Sequence, residues 1–382
     1  MGEEYRLTLA GLQALLDALG ARGYHILGPR LRDEAIIYDE VTKLADLPAG
    51  WTDRQEAGQY RMERRADNAL FGYALGPQAW RRFLQPPRHT LWRARRADPA
   101  ADDFDILPAD TAPPKFAFLG VRACELHAIS IQDRILRDNA YADASYTARR
   151  AEAFFIAVNC GMAGGTCFCA SMGTGPTAQT GYDLALTELL DATRHEFLIR
   201  AGSARGAALL AILPHTPANE ADRAQEAAIL ADTAQHMGRT LETNGLKERL
   251  QANLEDPHWD EIATRCLSCG NCTMVCPTCF CTTLEDHTNL AGTEAVREQR
   301  WDSCFTLDFS YIHGDSVRAG IAARYRHWLT HKLANWVDQF GEMGCVGCGR
   351  CLTWCPAAID ITAEAAAIGR ATHDQEDQHG NA

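Results

Sequence analysis

Two short runs constrain this 382-residue chain more than anything else in it: CLSCGNCTMVCP at 266–277 and CVGCGRCLTWCP at 345–356. Each reads C-x2-C-x2-C-x3-C-P. Three thiolates at steps of three wrap a loop around one iron–sulfur cube, each sulfur capping a different iron. The fourth lies beyond reach of that cube, points along the next helix, and ligates the other cluster. The spacing predicts one [4Fe-4S] cluster on Cys266, Cys269, Cys272 and Cys355, and a second on Cys345, Cys348, Cys351 and Cys276. The exchange stitches two distant segments together and keeps the cubes close. Pro277 and Pro356 follow the fourth cysteines, where proline leaves no N–H unsatisfied. Glycines within the loops let backbone N–H groups approach the sulfurs and favour the reduced, more negative cluster. Structural zinc is the competing reading, but its sites pair two C-x2-C knuckles far apart in sequence.

The rest of the composition fits that chemistry. Fifteen cysteines without an export signal point to a reducing compartment, where thiols stay free for metals. Leu9, Leu12, Leu15, Leu16 and Leu19 share one face of an N-terminal helix, with charged residues interrupting the apolar run. Neither a signal peptide nor a membrane span fits, so a soluble cytoplasmic protein is expected. A net charge of −13 argues against general nucleic-acid binding. One stretch departs from that balance, with nine arginines between Arg61 and Arg96, read as a solvated face or as a docking patch for an acidic partner.

The first half reads as α/β. KFAFLGVR (115–122), AFFIAVNC (153–160) and HEFLIRA (195–201) are strands, and ELHAISIQDRILR has helical spacing between the first two. Strands alternating with helices imply a mostly parallel sheet. The expected organisation is an α/β domain over 1–213, a helical bridge over 214–255, a mainly helical, ferredoxin-like two-cluster domain over 256–363, and a flexible tail over 364–382.

GVRACELHAI, TCFCASMGTGP, CLSCGNCTMVCPTCFC, WDSCFTLDFSYIHG and GCVGCGRCLTWCP occur here in an order that resembles the beta subunits of soluble NAD(P)-linked nickel–iron hydrogenases, also called sulfhydrogenases. The electron-transfer subunit of anaerobic sulfite reductase is similar. The resemblance runs from about residue 115 to 362, and the eight motif cysteines match the family's cluster ligands position by position. Ala123, Ala357 and Ala358 depart from the pattern, but none is a ligand position. The resemblance implies two [4Fe-4S] clusters on a chain that works beside a flavin- and NAD(P)-binding diaphorase subunit, together with nickel–iron hydrogenase small and large subunits. A sirohaem sulfite reductase subunit is the alternative partner. The chain has no G-x-G-x-x-G fingerprint and no P-loop, so neither flavin nor nucleotide is expected on it.

Seven cysteines remain. Cys124 and Cys160 follow strands, and strand ends line one edge of an open parallel sheet, so both can face one pocket. With Cys167 and Cys169 of the Gly-rich loop GMAGGTCFC they form a candidate third four-thiolate site, for a cluster or zinc; ordinary buried cysteines are the alternative. Cys279, Cys281 and Cys304 either join a further metal site or line the cluster pocket. RYRHWLTHKLANW (324–336) is a basic, aromatic helix whose charge raises a nearby cluster's potential, or else a solvated face. Electron transfer is the leading reading, with no residue needed for bond chemistry; a cluster-bearing redox sensor is the alternative of another class.

Overall fold

FAFLGV and FFIAV are apolar at every position and buried at every position, as strands covered on both faces must be. The computed structural model describes residues 3–74, 76–96, 103–108 and 113–370. In chain order its strands are β1 (Glu4–Thr8), β2 (His25–Arg32), β3 (Ala35–Glu40), β4 (Trp51–Glu56), β5 (Gln59–Arg64), β6 (Arg88–Arg95), β7 (Asp105–Pro108), β8 (Phe116–Val121), β9 (Phe154–Val158), β10 (Leu184–Leu190), β11 (His195–Ala201), β12 (Thr216–Pro217), β13 (Thr282–Thr288), β14 (Glu294–Trp301), β15 (Tyr311–Ile312) and β16 (Asp315–Ser316).

The main sheet has the order β12-β1-β11-β10-β9-β8-β2-β3. Its centre, β2, β8, β9 and β10, runs parallel, and antiparallel strands flank it on both sides. Side chains alternate across β8: Phe116, Phe118 and Val121 enter one core with the helix Ala123–Leu136, while Ala117 and Leu119 enter the other. That second core takes Leu12, Leu15, Leu16 and Leu19 of the helix Leu9–Gly20, the face expected from their spacing. Each such burial contributes about 1.5–3 kcal/mol. Thr8 caps the helix by accepting from the Gly11 N–H at 3.2 Å.

A third core joins Trp259, Tyr325, Trp328, Leu333 and Ile361 of the C-terminal half. Phe168 of the first TCFC run also enters it, only 1% exposed, so the α/β half plugs directly into the cysteine-rich half.

Three features depart from the sequence reading. The helix Glu220–Gln235 packs on β10 and β11 instead of bridging, and β12, beyond residue 213, pairs with β1. That helix docks through polar groups, Arg194 to Asp222 at 2.6 Å and Asn159 to Glu226 at 3.3 Å, which no apolar periodicity can reveal. The cysteine-rich half also contains the hairpin β13–β14, which continues through β6 to β7 as a four-stranded sheet. Its strands are held by charged pairs, Arg297 to Asp286 at 2.6 Å and Arg300 to Glu285 at 2.6 Å, and so lack a buried apolar face. Finally, the chain stays ordered past 364: the helix Ile361–Ala367 buries Ile361 and Ala365, with Ile368 just beyond it, and residues 371–382 lie outside the described ones.

The same sheet accounts for part of the arginine-rich stretch. Arg88 and Arg95 on β6 face Glu298 and Glu294 on β14, each at 3.6 Å, while Arg64, in the separate hairpin β4–β5, lies over the Trp51 ring. Among the described residues no helix is long and apolar enough to cross a membrane.

Candidate iron–sulfur centre

The two cysteine runs fold alike. Two residues after the first cysteine of each, Ser268 and Gly347 take positive φ (51° and 64°), and two residues later Gly270 and Gly349 do so again (74° and 73°). These left-handed turns curl the loop so that the Ser268 N–H reaches Cys266 Sγ at 3.4 Å and the Gly347 N–H reaches Cys345 Sγ at 3.5 Å. A short helix follows each loop, Asn271–Met274 and Arg350–Thr353, carrying the third cysteine. The Ile359 N–H reaches Cys355 Sγ at 3.4 Å.

Each helix then delivers its fourth cysteine to the opposite loop. Cys266, Cys269, Cys272 and Cys355 line one cavity, which Cys351 also borders and whose apolar wall includes Phe305, Tyr325 and Trp328. Cys269 is solvent-exposed, so this cavity has an outward edge. Cys276 leaves that group and lies within electrostatic reach of Cys345, Cys348 and Cys351. Cys351 also borders Cys272, which sets the two groups side by side. Among the described residues no three His, Cys, Asp or Glu side chains converge tightly enough for a single metal ion. A cube spreads its thiolates over separate irons and needs no such convergence.

Burial sets the charge state of these thiols. It pushes Cys345 up to about 12, and Cys272 and Cys351 well above the usual thiol range, so metal-free they stay protonated. Cys266 is also raised by burial, an effect the Ser268 N–H opposes. Cys276 goes the other way: a hydrogen bond from the Cys279 thiol and the charge of Lys332 hold it well below the usual range, against its burial. Iron bound here would replace those protons and neutralise thiolates that the interior does not otherwise accept.

The cation beside Cys276 was hidden in the basic helix. His331–Asn335 forms a π-helical turn, which turns Lys332 inward until its Nζ lies 3.4 Å from Cys276 Sγ and 2.8 Å from Thr278 Oγ1. Lys332 is 6% exposed and Arg324, on the preceding helix, 8%, so this face is not solvated. Burial works against the lysine charge, yet Cys276, Cys279 and Cys345 keep its pKa well above the ordinary lysine value. A second buried cation, Arg81, donates to the Thr273 and Cys276 carbonyls at 3.2 and 3.3 Å and stacks on Trp301. Nothing in its local sequence marks Arg81 out, because its partners lie 192 and 195 residues away.

The surplus cysteines fall in two places. Cys279 touches Cys276, Cys281 shares the field of Lys332 and Arg81, and Cys304 neighbours Cys281 and Cys272, so these three border the ferredoxin-type groups. Cys124, Cys160, Cys167 and Cys169 gather behind Cys348, where β8 and β9 end at one sheet edge. The two TCFC runs grip the intervening loop from different points: Thr278 Oγ1 donates to the Gly344 carbonyl at 2.8 Å and the Phe168 N–H to the Gly347 carbonyl at 2.8 Å. Glu125 sits on this floor, fully buried, bonded to Arg350 Nη2 at 2.8 Å, and is thereby tied into structure.

A family model described as a 4Fe-4S dicluster domain matches residues 265–359. No solved structure matches the chain. Sulfhydrogenase 2 subunit beta of Pyrococcus furiosus is 33% identical over 282 residues, which span 73% of this chain and 81% of that relative. Identity at that level, over most of both proteins, shows the chain to be a member of the sulfhydrogenase beta-subunit family.

Proposed function

We propose that this chain is the electron relay of a cytoplasmic sulfhydrogenase-type complex, passing electrons from one partner subunit, which binds flavin and NAD(P), to another that holds the nickel–iron catalytic centre, or in the reverse direction. One observation carries the reading: the crossed grouping of Cys355 with Cys266, Cys269 and Cys272, and of Cys276 with Cys345, Cys348 and Cys351. Those eight thiols are the ligands we assign to two [4Fe-4S] clusters, which supply one-electron storage when bound.

The protein's part is tuning and insulation. The N–H groups of Ser268, Gly347 and Ile359 bond to sulfur and favour the reduced state. Lys332 and Arg81 place positive charge beside the Cys276 end of the second group and so raise its potential, while Arg324 acts in the same sense on Cys266 of the first. The exposed edge at Cys269 gives the first group a short path to a docked partner. Glu125, the buried carboxylate on the cluster floor, is tied to Arg350 and not free for bond chemistry.

Anaerobic isolation of the complex, with identification of co-purifying chains by mass and assay of nickel, flavin and sirohaem, tests the proposal. Nickel and flavin partners are expected. Sirohaem in place of nickel would transfer the same relay to a sulfite reductase, and a chain that purifies alone and functions without partners would overturn it in favour of a sensor.

A further inference from the structure

The gathering of Cys124, Cys160, Cys167 and Cys169 is not explained by the two ferredoxin-type groups. Cys124 opens the helix Ala123–Leu136 directly after β8, Cys160 follows β9, and Cys167 and Cys169 lie on the loop after it. Two segments, the start of that helix and the loop after β9, therefore bring four thiols to one place, three of them buried and each within the electrostatic field of others in the set.

Three further features shape that place for something larger than packed thiols. Gly175 stands where a Cβ would come within 2.9 Å of Cys169 Sγ, and Gly164 where one would meet Cys167 Sγ at 3.4 Å, so glycine leaves space around two of the sulfurs. Arg122, 1% exposed, lies against Cys160. Its other acceptors are main-chain carbonyls, Phe71 at 2.8 Å and Tyr73 at 3.0 Å among them, and its buried Nε has no hydrogen-bond partner. A cation is costly beside neutral thiols in an apolar interior, and it is stabilised beside a group of net negative charge. The buried carboxylates of Glu125 and Asp53 share the field of Arg122 and meet part of its charge, and a cluster of net negative charge beside Cys160 would add to them.

The place also adjoins the second ferredoxin-type loop. A Cβ on Gly347 would lie 2.7 Å from the Cys169 backbone, and one on Gly349 2.3 Å from the Thr166 carbonyl, so the loops meet backbone to backbone. Cys167 Sγ lies 3.9 Å from the Cys348 carbonyl oxygen.

We propose that Cys124, Cys160, Cys167 and Cys169 ligate a third [4Fe-4S] cluster, in line behind the one assigned to Cys345, Cys348, Cys351 and Cys276. The third cluster extends the path from the exposed edge at Cys269 into the α/β half. One electron passes from the neighbouring cluster to this one, with no bond made or broken. The inference rests on the relay reading for its neighbour but is tested separately from it.

The test is iron, acid-labile sulfide and zinc analysis of the anaerobically purified complex, after subtraction of the partner subunits' content, joined to EPR of the reduced protein. About twelve irons on this chain are expected, falling to about eight in the Cys124→Ala/Cys160→Ala variant while the signals of the two ferredoxin-type clusters persist. About eight irons in the wild type, with or without one zinc, overturns the third cluster and leaves the relay standing; so does a variant that keeps about twelve. No iron at all sinks both readings. Should the variant fail to fold, the wild-type count decides.

Discussion

Replacing Lys332 with methionine removes a charge that touches an expected ligand sulfur while nearly preserving side-chain length. Its Nζ is 3.4 Å from Cys276 Sγ, and the added electron resides on iron a few ångströms further in. At a separation of about 6 Å and an effective dielectric of about 20, one unit charge stabilises that electron by about 3 kcal/mol. For a one-electron couple, where about 1.4 kcal/mol corresponds to about 59 mV, the loss lowers the cluster's potential by about 120 mV. Screening does little to reduce this, because Lys332 is 6% exposed. The assay is an EPR-monitored redox titration of wild type and variant at equal iron content. Arg326→Met is the control: Arg326 lies on the helix before the π-turn, is partly exposed and pairs with Glu255 at 3.1 Å, so its loss shifts the potential by less than about 20 mV. A Lys332→Met shift below about 30 mV, or one toward higher potential, would refute the idea that this lysine tunes the cluster.

Four other substitutions probe the supporting structure. Gly347→Ala combines a left-handed φ of 64° with a Cβ 2.7 Å from the Cys169 backbone, and is expected to cost several kcal/mol, about 1–2 of them from φ alone. Gly341→Ala, at φ 76° with open space around it, pays only the φ term, so equal thermal shifts for the two would contradict the close approach of the loops. Glu125→Gln leaves the buried Arg350 without its counter-charge and lowers the unfolding free energy by about 3–5 kcal/mol, measured by denaturant titration; a loss under about 1 kcal/mol would count against that ion pair. His331 is held neutral, its pKa pushed down to about 4 by burial, with Lys332 and His327 adding repulsion. The unfolded chain titrates near about 6.5, so stability from this site is complete above that pH and is lost as pH falls toward about 4. His331→Phe should flatten the pH dependence of the urea midpoint between about pH 6.5 and 5; an unchanged slope would place the proton elsewhere.

The cysteine spacing announced the cluster loops because local geometry and ligand chemistry coincide there: a step of three residues is both the turn of the loop and the reach between irons. The strands at 116–121, 154–158 and 195–201 were legible for a similar reason, since burial in the sheet leaves runs of apolar residues. What stayed hidden was held by polar contacts over long separations. The helix Glu220–Gln235 buries Asp222 and Glu226, and β13–β14 carries its ion pairs on exposed faces, so neither offers an apolar period to read. Lys332 was visible as a basic residue but not as a buried one, because the π-helical turn shifts its direction away from the face that 3.6-residue spacing assigns. Arg81 and Arg122 acquire meaning only through partners brought near by the fold.

The crossing of the fourth ligands is the claim on which the relay stands, and EPR of single-cysteine variants in the reduced complex tests it most directly. Cys355→Ser is expected to alter the same cluster signal as Cys266→Ser, and Cys276→Ser the same signal as Cys345→Ser, with two interacting [4Fe-4S] centres in the unaltered protein. Pairing of Cys355→Ser with Cys345→Ser, or colourless protein with zinc at these positions, would contradict the account.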